Sequence, residues 1–486
     1  MISIRTITQL DQANTLIIPF IKDDKLEENL LKRAKLIGYE MEELGNSFTA
    51  EKKETLIVAT PSKKYSKVIF LGLGKNPSGK ETISAFRSLF KSNKKKLSGE
   101  IVMDLKGNAD LAELMANGIS LASYDIGMMK TRAEEEQNVF NNGSEFSFWV
   151  TANQEDKIQA GISRGLATAE TQMNIMALVD APSNYKTPQM MAEYIQKSGK
   201  ENGFKVKVYD EKACEEMGFH ALLAVGRGSV DRPARMVVME YKSSKEAKKV
   251  GLVGKGVTFD TGGVSLKPGN GMEDMKMDMG GSAAVIGAVE LAAKLKLDVN
   301  LIGIVALTEN CVDALAIKPG DVINSYSGKT IEIINTDAEG RLILADAVHY
   351  MATKFEPEVM IDLATLTGSC IRTLGHVASG MMTKNDKLAA QLEKAASSTG
   401  EKVWRLPLWD DYRSEIDSDV ADIKNLGGPY AGATTAGKFI EYFTNEHPNW
   451  AHLDIAGTAF DKNEFAKGGS ATGYGVRLLT EFIENY

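Results

Sequence analysis

Between residues 251 and 285 the chain reads GLVGKGVTFDTGGVSLKPGNGMEDMKMDMGGSAAV, setting Lys255, Lys267, Asp260 and Asp278 among closely spaced glycines. Glycines at 262, 263, 269, 271, 280 and 281 let the backbone fold tightly round something small. The segment follows a short apolar run, and the carboxyl ends of parallel strands are where α/β proteins bind ligands. Taken alone, it reads first as a Gly-rich turn with solvated charges. A second stretch shifts the balance. Residues 331–342, IEIINTDAEGRL, carry Asp337, Glu339 and Arg341 at a spacing of two, which in an extended chain places all three on one face.

Charge arithmetic indicates the chemistry. Asp260, Asp278, Asp337 and Glu339 bring four negative charges, which repel strongly when crowded unless cations neutralise them. Two divalent ions balance that sum. Lys267 and Arg341 are then a positive surplus suited to anionic groups, including a developing oxyanion. Lys255 can join as a metal ligand only as a neutral amine, and counting alone leaves it either a ligand or a counter-charge. Five histidines (His220, His349, His376, His447, His452) form no H-E-x-x-H, and Cys214, Cys311 and Cys370 form no C-x-x-C, so carboxylates are the expected ligands.

These residues need a scaffold. Short apolar runs at 236–241, 250–253, 301–307, 331–334 and 359–363 read as strands, and 282–295 and 342–353 as helices. Strands so apolar are buried on both faces. Earlier in the chain, 68–73 and 101–105 read as buried strands and 111–123 as a helix. The expected fold is α/β in two domains, each a mostly parallel sheet flanked by helices, with the larger, C-terminal one catalytic. The boundaries expected are 1–155 for the N-terminal domain, 156–178 for a linker helix and 179–486 for the catalytic domain. A length of 486 residues agrees with two cores rather than one.

Two other features carry less. Gly74 to Lys80, GKNPSGK, nearly completes a phosphate-binding loop, but the next residue is Glu81 where Ser or Thr should hold Mg²⁺. A plain polar turn is expected instead. The basic run KSNKKK at 91–96 reads as a solvated surface. With 57 Lys+Arg against 65 Asp+Glu the net charge is −8, which opposes binding to nucleic acid or an anionic membrane. Composition is that of a globular protein, 43% hydrophobic and 25% charged, so disordered and fibrous classes are excluded. No run is long and apolar enough to span a bilayer, the start has no secretory pattern, and three scattered cysteines suit a reducing cytoplasm.

The motifs themselves resemble the leucyl aminopeptidase (cytosol aminopeptidase) family. Its signature N-T-D-A-E-G-R-L stands complete at Asn335 to Leu342, V-G-K-G-x-T-F-D-x-G-G-x-S-L-K-P at Val253 to Pro268, and M-K-x-D-M at Met275 to Met279. Weaker similarity runs through 362–368, 418–425 and 453–457, so it extends from about Asp180 to the end of the chain. The resemblance implies a metal-dependent aminopeptidase with two divalent ions per subunit, Mn²⁺ or Zn²⁺, sharing a bridging hydroxide. It assigns Lys255, Asp260, Asp278 and Glu339 to one ion, and Asp260, Asp337 and Glu339 to the other. Lys267 and Arg341 match the catalytic positions, with a bicarbonate at Arg341 shuttling the proton. Met275, Thr365 and Gly368 match substrate-pocket positions. It also implies a cytoplasmic homo-hexamer acting on short peptides and releasing leucine and other N-terminal residues. An added DNA-binding role, known in some members, is the alternative that the net charge disfavours.

Overall fold

Short runs of β-branched and aromatic residues build two principal sheets in this computed structural model, which describes residues 2–37, 47–60, 64–106, 108–131, 136–244, 246–462, 465–466 and 468–486. The chain divides into two compact units, Met1–Met173 and Asn174–Tyr486, the division falling inside a long helix, Glu155–Asp180.

In the first unit, strands β1 (Ile4–Ile7), β2 (Ala13–Phe20), β3 (Thr55–Ala59), β4 (Tyr65–Gly72), β5 (Glu100–Asp104) and β6 (Glu145–Trp149) form one sheet in the order β1-β6-β5-β2-β4-β3. All neighbours are parallel except β3 and β4. The near-miss phosphate loop has a structural explanation. Ser78 caps the helix Gly79–Asn93, and Glu81 closes the capping box by accepting from the Ser78 backbone N–H at 2.9 Å. That bond leads the interactions lowering its carboxyl to about 2, so Glu81 belongs to the helix start. In the basic run, Lys91 donates to the carbonyl of Tyr124 and Lys95 pairs with Glu136.

The second unit holds an eight-stranded sheet: β7 (Lys205–Tyr209), β8 (Arg235–Lys242), β9 (Lys249–Asp260), β10 (Asn300–Asn310), β13 (Val359–Ala364), β14 (Ser379–Met382), β15 (Val403–Arg405) and β17 (Trp450–Asp454). A small separate sheet takes β11 (Val322–Asn324), β12 (Thr330–Glu332) and β16 (Ile423–Lys424). The large sheet runs β15-β14-β17-β13-β9-β10-β8-β7. Its centre, β17-β13-β9-β10, is parallel as expected, while β14 against β17, β8 against β10 and β7 against β8 are antiparallel.

Helices cover both faces. A β-carbon at Gly254 would lie 2.6 Å from Cα of Ser282 in the helix Gly280–Lys294. Its neighbour Lys255 points the other way, against Gly340 at the start of the helix Gly340–Tyr350. The chain leaves β9 over the first helix to β10, then returns over the second to β13 on the far side of β9. That reversal opens a crevice at the carboxyl end of β9, where ligands bind in open α/β sheets.

Two sequence expectations need correction. The strand β9 runs on through Asp260 rather than ending at Val253, so Lys255 is a strand residue. Asp337, Glu339 and Arg341 do not share the face of an extended segment: Asp337 sits in a turn, Glu339 is the N-cap, and Arg341 lies in the first helical turn. A 3.6-residue repeat separates them more widely than a strand would, and the cluster is assembled by tertiary contact instead.

Candidate active site

Lys255 and Asp260 are five residues apart, an odd number, so a regular strand would turn them to opposite faces. A β-bulge corrects this. Val257 pairs with Thr308 and Phe259 with Glu309, so Thr258 is an extra residue in β9. Asp260 thereby reaches the carboxylates on the Lys255 side. Its Oδ1 accepts from the Gly262 N–H and from Asn310 Nδ2, both at 2.8 Å. The same Asn310 donates to the Thr336 carbonyl at 3.0 Å, and Thr336 Oγ1 donates to the Gly262 carbonyl at 2.6 Å. Those bonds hold the 262–267 loop against the 335–339 turn. At Gly262, φ is +87° and a β-carbon would lie 2.9 Å from Asp337 Oδ1, so only glycine suits the position.

The cluster is compact. Asp260, Asp337 and Glu339 can each offer an oxygen within 4.8 Å of the others. Lys255 Nζ lies 2.7 Å from Asp278 Oδ2 and 2.8 Å from Glu339 Oε1, and donates to the Thr365 carbonyl at 3.0 Å. Lys267 Nζ lies 2.8 Å from Asp260 Oδ2 and also contacts Asp337. Thr365 Oγ1 donates to Asp278 Oδ1 at 2.8 Å, steadying the aspartate beside the positive end of the Gly280 helix.

Two ammonium groups cannot balance four crowded carboxylates, three of them buried and Asp337 half-buried. Burial, with Glu339 adding repulsion, raises Asp260 to about 6 and lifts Asp278 and Asp337 above their ordinary values. Glu339 alone is held low: burial opposes its ionisation, but Lys255 and Lys267 prevail. Burial disfavours charge on both lysines too, yet Asp278 and Glu339 keep Lys255 protonated, and Asp260 and Glu339 do so for Lys267. Buried Asp278 Oδ2 and Asp337 Oδ1 accept no aligned hydrogen bond; their contacts with the lysines are ion pairs only. Oxygen donors short of positive charge and with lone pairs to spare fit hard divalent cations.

A cavity of about 600 Å³ opens over the cluster. Arg341 and the three expected substrate-pocket residues, Met275, Thr365 and Gly368, all line it. No histidine or cysteine does so among the described residues. Arg341 is buried, which lowers its guanidinium to about 10 despite nearby Glu339; it donates to the Asn425 carbonyl at 2.9 Å and leaves Nε without a partner.

Residues 175–480 match the Cytosol aminopeptidase family, catalytic domain, and residues 17–133 match that family's N-terminal domain. The chain belongs to the cytosol aminopeptidase family. It is 43% identical over 442 residues to a probable cytosol aminopeptidase of Chloroherpeton thalassium, covering 87% of each chain. A probable cytosol aminopeptidase of Chlorobaculum tepidum is 41% identical over 444 residues, again at 87% of each. Among solved structures, a mutant of tomato leucine aminopeptidase is similar at a TM-score of 0.87 and 30% identity, over 100% of this chain and 97% of that one. The bottromycin maturation enzyme BotP in complex with Mn is similar at 0.83 and 28%, over 97% and 99%. Membership makes the chain a peptidase hydrolase, a metal-dependent aminopeptidase.

Several residues that organise this cytosol aminopeptidase site lie outside its strong motifs, mostly in the stretches of weaker similarity, where the sequence assigned them no role. Asn425 accepts from the Ile334 N–H and donates to the Asn335 carbonyl, anchoring the 335–339 turn. Asp454 accepts from Thr367 Oγ1 at 2.7 Å and from the Leu366 and Ala456 N–H groups, fixing the segment beside Thr365. Behind it, fully buried His452 pairs with Asp362 at 2.5 Å, and Trp450 Nε1 donates to the same carboxylate. The cross-strand register of β13 and β17, Asp362 against His452, sets that pair. Polar residues inside apolar strands, DLA in β13 and AHLD in β17, were the available signal.

Proposed function

We propose that the protein is a two-metal aminopeptidase that releases leucine and other N-terminal residues from short peptides. The observation that carries this is the convergence of four carboxylates and Lys255 at the floor of one open cavity. Lys255, Asp260, Asp278 and Glu339 would hold one cation, and Asp260, Asp337 and Glu339 the other, with Lys255 giving up its proton to donate as an amine. Two divalent cations there, Mn²⁺ or Zn²⁺, supply Lewis-acid polarisation of the scissile carbonyl and acidify water for attack at neutral pH.

The chain's own groups do the rest. Lys267 would turn its ammonium from Asp260 and Asp337 toward the oxygen that gains charge as the carbonyl becomes tetrahedral. Arg341, buried with Nε unpartnered, has a donor to spare for a small anion such as bicarbonate, which would carry the proton in place of a histidine. Met275, Thr365 and Gly368 would receive the first side chain of the peptide.

A hexamer is the expected assembly, and exposed Leu266, Leu315 and Tyr430 offer apolar surface for it. A cytoplasmic location is consistent with three free cysteines and with no described helix being long and apolar enough to cross a membrane. An added DNA-binding role gains nothing from the lysine run, where Lys91 and Lys95 are engaged within the fold. The test is hydrolysis of leucine p-nitroanilide with and without a chelator, followed by return of Mn²⁺ or Zn²⁺. Full activity in the chelated, metal-depleted protein would refute the proposal.

A further inference from the structure

Most of the cations lining the cavity are already engaged. Lys255 and Lys267 each lie between two carboxylates, and Arg341 donates to a backbone carbonyl. Arg372 differs. It lines the same cavity, is exposed, and has no ion-pair or hydrogen-bond partner among the described residues.

Its position is defined by the helix Gly368–Leu374. Arg372 is one turn on from Gly368, so both occupy one helix face. A β-carbon at Gly368 would lie 3.7 Å from Arg372 Nη1, so the guanidinium spreads over the glycine rather than away from it. The base of the helix is anchored: Thr367 Oγ1 accepts from the Cys370 N–H at 3.0 Å and donates to buried Asp454 at 2.7 Å. The cluster is close by. Thr365, which bonds both Lys255 and Asp278, is three residues before Gly368, a span of at most about 10 Å even when extended. Outside the cluster, the only carboxylate lining the cavity among the described residues is Asp274. Apolar Ile371, Leu426 and Pro429 line the cavity as well.

A guanidinium with a free planar fork matches a carboxylate. We propose that Arg372 binds a carboxylate of the substrate, making this enzyme selective for peptides with a negative charge near the scissile bond. The inference rests on the aminopeptidase reading above. Two sources share the chemistry: an acidic side chain on the first residue, or the terminal carboxylate of a dipeptide.

Two matched pairs separate them: α-glutamyl against leucyl p-nitroanilide, and Leu-Gly against Leu-Gly amide. Each is assayed with the wild-type protein, with Arg372→Met, which keeps the bulk without the charge, and with Arg372→Glu. In Arg372→Met the charged-to-neutral ratio of kcat/KM should fall about fivefold in one pair, chiefly through KM, and Arg372→Glu should deepen the fall. A fall in the p-nitroanilide pair assigns the acidic side chain; a fall in the dipeptide pair assigns the terminus. Both ratios unchanged in Arg372→Met overturns the inference alone. A metal-loaded wild-type protein that cleaves none of the four overturns the aminopeptidase reading and the inference with it.

Discussion

Gly340 leaves the space that Lys255 fills: a β-carbon at position 340 would lie 2.6 Å from both Cδ and Cε of the lysine and 2.7 Å from its Nζ. Gly340→Ala should therefore push the amine out of the cluster, although alanine itself favours the helix. We expect kcat/KM to drop on the order of 10²-fold, metal content to fall, and the melting temperature to stay close to wild type. Elemental analysis and circular dichroism check this. A variant with normal metal and normal rate would show that the lysine need not stay where it is.

Removing Lys267 should separate binding from turnover. It takes a positive charge away from Asp260 and Asp337, so Lys267→Ala should keep its metals while losing about 10²- to 10³-fold in kcat. Undiminished hydrolysis of leucine p-nitroanilide would exclude Lys267 from the chemistry.

Asp337 should behave in the opposite way. Its Oδ1 is buried without an aligned donor, and it shares a compact oxygen cluster with Asp260 and Glu339. Asp337→Ala should purify with less metal than wild type. A full complement of two ions per chain would rule it out as a ligand.

Asp346 offers a test of pH dependence away from the cluster. It is fully buried on the helix Gly340–Tyr350, accepting from the Leu222 and Tyr326 N–H groups, and burial still raises its carboxyl to about 7. The folded value is above the unfolded one of about 4, so its contribution is complete below about pH 4 and is lost as pH rises to about 7. Asp346→Asn cannot titrate. The stability of wild type relative to this variant, from urea midpoints at pH 5 and pH 8, should decline toward pH 8. An identical difference at both values would contradict the burial argument.

The cluster of carboxylates and lysines was legible in the sequence because its members lie in two short, unusual segments whose charges must be balanced. The parallel centre of the large sheet was legible from strands apolar on both faces. What escaped depends on contacts between distant segments. The spacing of Asp337, Glu339 and Arg341 pointed to a strand, but alternation cannot distinguish three residues in a strand from three crossing a turn into a helix start. Asn310 and Asn425 look like ordinary polar residues until folding brings them to the 335–339 turn. The pairing of Asp362 with His452, ninety residues apart, exists only through the register of two strands.

The extra residue in β9 has a consequence for engineering. Whether Asp260 works with Lys255 or faces the opposite helix layer is a matter of parity, settled by one amino acid at Thr258. Deleting that residue would leave Lys255 and Asp260 four apart in an unbroken strand, an even spacing that keeps both on one face. What would part them is straightening the bulge with every residue kept, since a count of five turns Asp260 into the opposite helix layer. The bulge is a spacer that absorbs an odd residue: the strand can lose it, but cannot regularise around it.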